Sequence, residues 1–179
     1  DVAEVWVTGE FGQEWDMWGV GRKDVSYGEG SYSEIVHYPL RDLGTLQAIK
    51  QYEFPRLRDM HVDEQVGEIK YLRKHSQQSI VLANANHFET SWYMRGLEQA
   101  FEDMMLRPDL LHFIMETVTS FFTDYFYEIL KGCPGEIDMV FTADDIGHQD
   151  GLLLSLDMWE EFIKPYHVRI NDMIHNMGA

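Results

Sequence analysis

Ser79-Ile80-Val81-Leu82-Ala83, followed at once by the polar Asn84-Ala85-Asn86-His87, is the stretch on which the fold turns. A short, partly β-branched apolar run that ends abruptly in polar residues suits a strand buried on both faces of a parallel sheet, because crossover helices cover both sides of such a sheet. Helices are expected on either side. From Val62 to about His75 the apolar residues Val62, Val66, Ile69, Tyr71 and Leu72 recur at helical spacing among charged neighbours. After the strand a second helical pattern runs from about Thr90 to Leu106, carried by Trp92, Met94, Leu97, Phe101 and Met105. Pro108-Asp109 then opens a third helix, where proline lacks only a donor that would be unpaired anyway and aspartate favours the positive end of the helix dipole.

That helix should reach about Lys131, where Gly132-Cys133-Pro134-Gly135 breaks it, and Ile137-Asp138-Met139-Val140-Phe141 is the next strand. A polar loop from Asp144 to Gly151 leads to Ser155 as N-cap, with Asp157 in the first turn and Met158, Phe162, Tyr166 and Ile170 along one face of a long final helix. The alternation of strand and helix implies an α/β fold with parallel strands and right-handed crossovers. We read residues 1–179 as one domain, with a loop-rich entry segment of short strands over 1–40 and βα units over 41–179. A closed eight-stranded barrel takes about 250 residues, so the strands visible here fill only part of one. The alternative is a small open α/β domain.

Composition narrows the function. The 31 acidic and 14 basic side chains give a formal charge of −17, which repels nucleic-acid backbones and anionic lipid surfaces. The single cysteine, Cys133, permits neither an internal disulfide nor a cysteine-cluster metal site within the chain, and fits a reducing cytoplasm. No apolar run approaches the roughly 18 residues of a spanning helix, and Asp1-Val2-Ala3-Glu4 has no signal-peptide character.

Three ordered segments carry a resemblance. Phe141-Thr142-Ala143-Asp144-Asp145-Ile146-Gly147-His148-Gln149-Asp150-Gly151, running on to Ser155, Trp159, Phe162 and Pro165-Tyr166, resembles the uroporphyrinogen decarboxylase superfamily. Ile80 to Gly96 resembles that family's strand and loop with a pocket tyrosine, here Tyr93, and Glu14-Trp15-Asp16-Met17-Trp18-Gly19 with Tyr38-Pro39-Leu40 resembles the segment of its essential aspartate. The resemblance implies part of a (β/α)8 TIM barrel, incomplete in this chain, with its site at the carboxyl ends of the strands.

In the family's decarboxylases the aspartate matched by Asp16 holds pyrrole N–H groups and stabilises positive charge on the protonated ring. The place of Asp144 there tends to hold a serine. The arginine-rich segment that grips substrate carboxylates would precede Asp1, and the pocket histidine would follow Ala179. The superfamily's other branch transfers methyl groups with corrinoid proteins and uses zinc to activate the acceptor, its His-x-Cys and later cysteine ligands also lying past Ala179. The Asp144, Asp145, Gly147 and Gln149 pattern is more similar to this branch. Corrinoid-linked methyl transfer is therefore the favoured expectation, with porphyrinogen decarboxylation as the alternative and a non-catalytic assembly module as a third reading. A tetrapyrrole or a corrinoid protein is the expected partner. Open barrel edges would invite association with another copy or chain. No cofactor is expected within the chain, which is expected to be inactive alone, and zinc would enter only with the missing ligands.

Candidate site residues follow from the two strand-end loops. Asp144 is favoured over Asp145 because neighbouring side chains at a strand end point to opposite faces, the plain alternative being a capping role. Asp16 and Tyr93 stand as candidate catalytic residues on the resemblance; otherwise a lone aspartate is usually a turn residue and a helical tyrosine a packing residue. Asn84, Asn86, His87, Asp145, His148 and Gln149 are candidate substrate contacts; the two loops could bring His87, His148 and Gln149 together above the barrel, the plain alternative being solvated loop histidines. No residues stand as metal ligands, because no spacing suggests a set within the chain.

Overall fold

The computed structural model describes residues 2–6, as backbone course only, and 15–179. Its centre is a parallel three-stranded sheet in the order β1 (Val2–Trp6), β4 (Ser79–Ala85), β5 (Met139–Thr142). Between the first two strands in sequence lie an antiparallel hairpin, β2 (Gly21–Ser26) and β3 (Ser31–His37), the short helix α1 (Leu46–Lys50), and α2 (Val62–His75). After β4 come α3 (His87–Arg95), α4 (Leu97–Leu106) and the long α5 (Pro108–Gly132). Beyond β5, the small hairpin β6 (Gly147–His148) and β7 (Gly151–Leu152) precedes α6 (Leu156–Phe162) and α7 (Lys164–Asn176).

The α/β class, the parallel sheet and its incompleteness as a barrel agree with the sequence reading. The expected helix from Thr90 to Leu106 starts three residues early and divides at Gly96, whose φ of 90° is a conformation that glycine adopts freely and that stops the helix. The expected long final helix divides at Ile163, because Pro165 lacks the N–H that a continuous helix would need there. Ser155 does cap, its Oγ accepting from the Met158 N–H at 3.2 Å.

One face of the sheet is packed by helices. Ile80 and Leu82 of β4 join Ile69 of α2, the Ile114, Val118, Phe122 and Ile129 stripe of α5, and Ile170 and Ile174 of α7 in the main core. A second cluster, built on Phe88, Met104, Leu111, Phe162 and Ile163, fills the space between α3, α4, α5 and α6. On the sheet's other face Val81 and Ala83 pair in register with Met139 and Phe141, which are 52% and 46% exposed. On that face Val81 and Ala83 are buried, and the exposed apolar surface is that of Met139 and Phe141.

Register shifts between Ala83 and Ala85, where Asn84 takes a φ of 96°. Ala85 rather than residue 84 then continues the Ile80, Leu82 side into the core. Asp138 fixes the start of the β4–β5 pair by accepting from the Ile80 N–H at 2.7 Å and from Arg73 Nη2 at 2.6 Å. No helix among the described residues is long and apolar enough to cross a membrane.

Candidate functional site

The carboxyl ends of β4 and β5 meet at the start of α3. Although Asn86 occupies the N-cap position, its side chain makes no cap bond, and the job falls to Asp144, 58 residues further along the chain. Asp144 Oδ2 accepts from the Phe88 N–H at 3.1 Å and Oδ1 from the Glu89 N–H at 2.8 Å, the donors left over at a helix N-terminus. The same carboxylate accepts from His167 Nε2 of α7 at 2.8 Å, with its side chain 1% exposed. Asp144 thus performs the capping role and is also tied to an ionisable partner.

His87, the first residue of α3, is fully buried instead of lying in a loop, and its ring meets that of His167 edge-on, centroids 4.9 Å apart. Neither ring nitrogen of His87 has a hydrogen-bond partner among the described residues. Burial pushes its pKa down from 6.5 to about 4, against the pull of Asp144 and helped by His167 and Arg169. The meeting of His87 with His148 that the two loops could allow is replaced by this His87–His167 contact. His148 is exposed on the β6–β7 hairpin and receives the Asp150 N–H; Gln149 is exposed beside it, and Asp145, also exposed, braces Gly147 N–H at 3.3 Å.

Tyr93, two turns into α3, donates to Glu89 Oε1 at 2.7 Å, while Asn86 Nδ2 donates to Glu89 Oε2 at 2.6 Å. Burial first, then the Glu89 carboxylate, holds the Tyr93 phenol far above its usual pKa, so it remains a protonated donor. Asn84 stands in the strand as the positive-φ residue of the register shift.

Asp16 behaves first as a turn residue. Its Oδ1 accepts from the N–H groups of Trp18 at 2.9 Å and Val20 at 3.0 Å. Gly19 completes the turn with a φ of 75°, where a Cβ would collide with the Tyr52 hydroxyl. The link from Asp16 to the rest of the site is Arg22 of β2, whose Nη2 lies 3.5 Å from Asp16 Oδ2 and whose guanidinium carbon sits 4.8 Å from the Tyr93 ring centroid. Glu14 of the same motif lies outside the described residues.

The structure therefore gathers Asp16, Asn86, His87, Tyr93 and Asp144 around the start of α3, and adds Arg22, Glu89 and His167, which sequence reasoning missed. Glu89 had a signal in the Asn86-x-x-Glu89 spacing typical of a helix start. The chemistry on hand is a protonated phenol, three hydrogen-bonded carboxylates, a neutral buried imidazole beside a second one, and one guanidinium. Among the described residues no group of three metal-binding side chains comes together, and Cys133 Sγ donates to the Ile129 carbonyl at the far end of α5.

No curated protein matches this sequence. Among solved structures, a methyltransferase from Methanosarcina mazei shares the fold with a TM-score of 0.56 at 15% identity, over 86% of this chain and 44% of that one. The chain thus spans less than half the length of that relative. The family model described as uroporphyrinogen decarboxylase (URO-D) matches residues 17–179, which takes in every site residue described above except Asp16. On that match, over nearly its whole length, the chain belongs to the uroporphyrinogen decarboxylase family.

Proposed function

We propose that the chain forms part of a methyl-transferring member of this family that works with a corrinoid protein, and that it does not serve porphyrinogen decarboxylation. The observation that carries this reading is the Arg22 guanidinium seated between Asp16 and Tyr93. Decarboxylation would ask Asp16 to offer a free carboxylate to pyrrole N–H groups and to stabilise a ring as it becomes positive. Here one oxygen of Asp16 is occupied by two backbone donors and the other faces a guanidinium, whose charge opposes positive charge developing beside it. The formal charge of −17 also works against a polycarboxylate substrate.

Methyl transfer makes no such demand. It needs a polar wall that orients a small donor or acceptor, which Tyr93, Glu89, Asn86 and the Asp144–His167 pair supply. If zinc serves that chemistry, the described residues do not furnish its ligand set, so no step is assigned to it. One observation favours the assembly reading as a companion: the uncovered Met139 and Phe141 face suits burial against further protein.

In the protein as its cell makes it, the expected activity is loss of the methyl group from methylcobalamin to a small thiol, followed by visible absorbance. Release of carbon dioxide from uroporphyrinogen without any methyl loss would overturn the proposal. The 179-residue chain alone is expected to turn over neither.

A further inference from the structure

The arginines of this molecule that serve structure are tightly held. Arg95 reaches Asp103, Arg73 reaches Asp138 and Arg169 reaches Glu116, each at 2.6 Å. Arg22 differs from all three. Among the described residues its only hydrogen bond is the 3.5 Å approach to Asp16, at the outer limit of such a contact; its Nε is buried with no partner, as is that of Arg169, but both terminal nitrogens of Arg169 are bonded, to Glu116 and Ser120. Asp16 gives little hold because Oδ1 already accepts from Trp18 and Val20. A guanidinium carries several N–H donors in a rigid fork, and leaving a buried one unpaired is costly.

The β2–β3 register shifts between Gly21 and Arg22, with Val36 of β3 as the extra residue, so Arg22 stands beside an irregularity at the root of the hairpin. Arg22 is 14% exposed, whereas the following Lys23 and Asp24 are exposed. The Tyr93 ring supports the guanidinium carbon at 4.8 Å and can offer it no hydrogen bond in return for its donors. What such a held but unsatisfied fork matches is a pair of anionic oxygens, bound through two parallel N–H bonds.

We propose that Arg22 is an anion-recognition residue, gripping the carboxylate, sulfonate or phosphate group of a small-molecule substrate beside Tyr93. In a chain of formal charge −17, an anionic substrate needs such a local cation to approach the site at all. This inference is independent of which group the protein transfers. Loss of methyl transfer with anion binding intact would refute the proposed function alone, and the reverse result would refute this proposal alone.

The test is titration of the 15N-labelled chain with acetate, methanesulfonate or inorganic phosphate at constant ionic strength, with chloride as control, following the arginine Nε–H signals and the backbone amide signals of residues 22 and 93, the latter giving the affinity in variants without Arg22. The Arg22 signal is identified by its loss in Arg22→Lys. A saturable shift of that signal with at least one oxyanion, absent with chloride, is expected, with affinity falling about tenfold or more in Arg22→Lys and further in Arg22→Gln. Two results would overturn the proposal: an Arg22 signal that moves no more than those of Arg95 and Arg73, or unchanged affinity in Arg22→Gln. Should Arg22→Gln fail to fold, the wild-type titration decides.

Discussion

Replacing His87 with leucine should abolish a specific part of the protein's acid sensitivity. The imidazole titrates near 6.5 when exposed and near 4 in the folded protein, a difference of about 2.5 units caused mainly by burial. Above pH 6.5 it is neutral folded or unfolded and contributes nothing to pH dependence. Between 6.5 and about 4 the unfolded chain takes up a proton that the folded protein refuses, so stability falls as pH falls, by up to about 1.4 kcal/mol per unit. Below about 4 the loss levels off at about 3 kcal/mol. Urea unfolding of wild type and His87→Leu at pH 7.5, 6, 5 and 4 measures it. Carboxylates that titrate in both proteins cancel in the difference, which should move by about 3 kcal/mol in favour of the variant from the highest pH to the lowest. Parallel curves, with a difference constant to within about 0.5 kcal/mol, would refute a neutral buried His87.

Arg95→Met should destabilise by about 3 kcal/mol in urea titrations, because it takes from the fully buried Asp103 its closest partner, leaving it Arg107 and Gln99, and frees the carbonyls of Leu40, Arg41 and Leu43, and a loss under about 1 kcal/mol would contradict that account. Asp144→Ala should cost about 2 kcal/mol and speed amide exchange at Phe88 and Glu89 while leaving α5 amides protected, since it removes the acceptor for both N–H groups and for His167. Gly96→Ala should lower stability by about 1 kcal/mol or more, read as a reduced thermal midpoint, because φ is 90° and the new Cβ would press on the Arg41 guanidinium at 3.3 Å.

The parts of the fold legible in sequence were those in which local pattern and burial agree. Ser79 to Ala83 reads as a strand because a run of that length has nowhere to go but a sheet centre, and Val62 to His75 reads as a helix because its one apolar stripe faces α5. The helix divisions at Gly96 and Ile163 were missed because an apolar period can continue across a break when both segments pack on the same core, as Trp92 and Phe101 do beside Phe88. The candidate site was legible one loop at a time. That Asp144 would cap a helix 55 residues earlier, with His167 at its side, depends on the angle at which α7 lies against α5, and no short spacing encodes that. Arg22 was invisible for a similar reason: the groups it meets, Asp16 in a turn and Tyr93 on α3, are brought to it by tertiary packing.

The extra residue at Asn84 has a consequence for how this loop can change over evolutionary time. Substitutions at Asn86, His87 or Glu89 alter one group each, whereas deleting Asn84 would leave Ala85 on the core side but remove the local bend that the irregularity puts between β4 and α3. The start of α3 would rotate with it, and every donor now offered to Asp144 would swing off its acceptor at once. Variation here should therefore come as exchanged side chains at fixed length, and a relative with a shorter loop would have had to rebuild this corner from the strand upward.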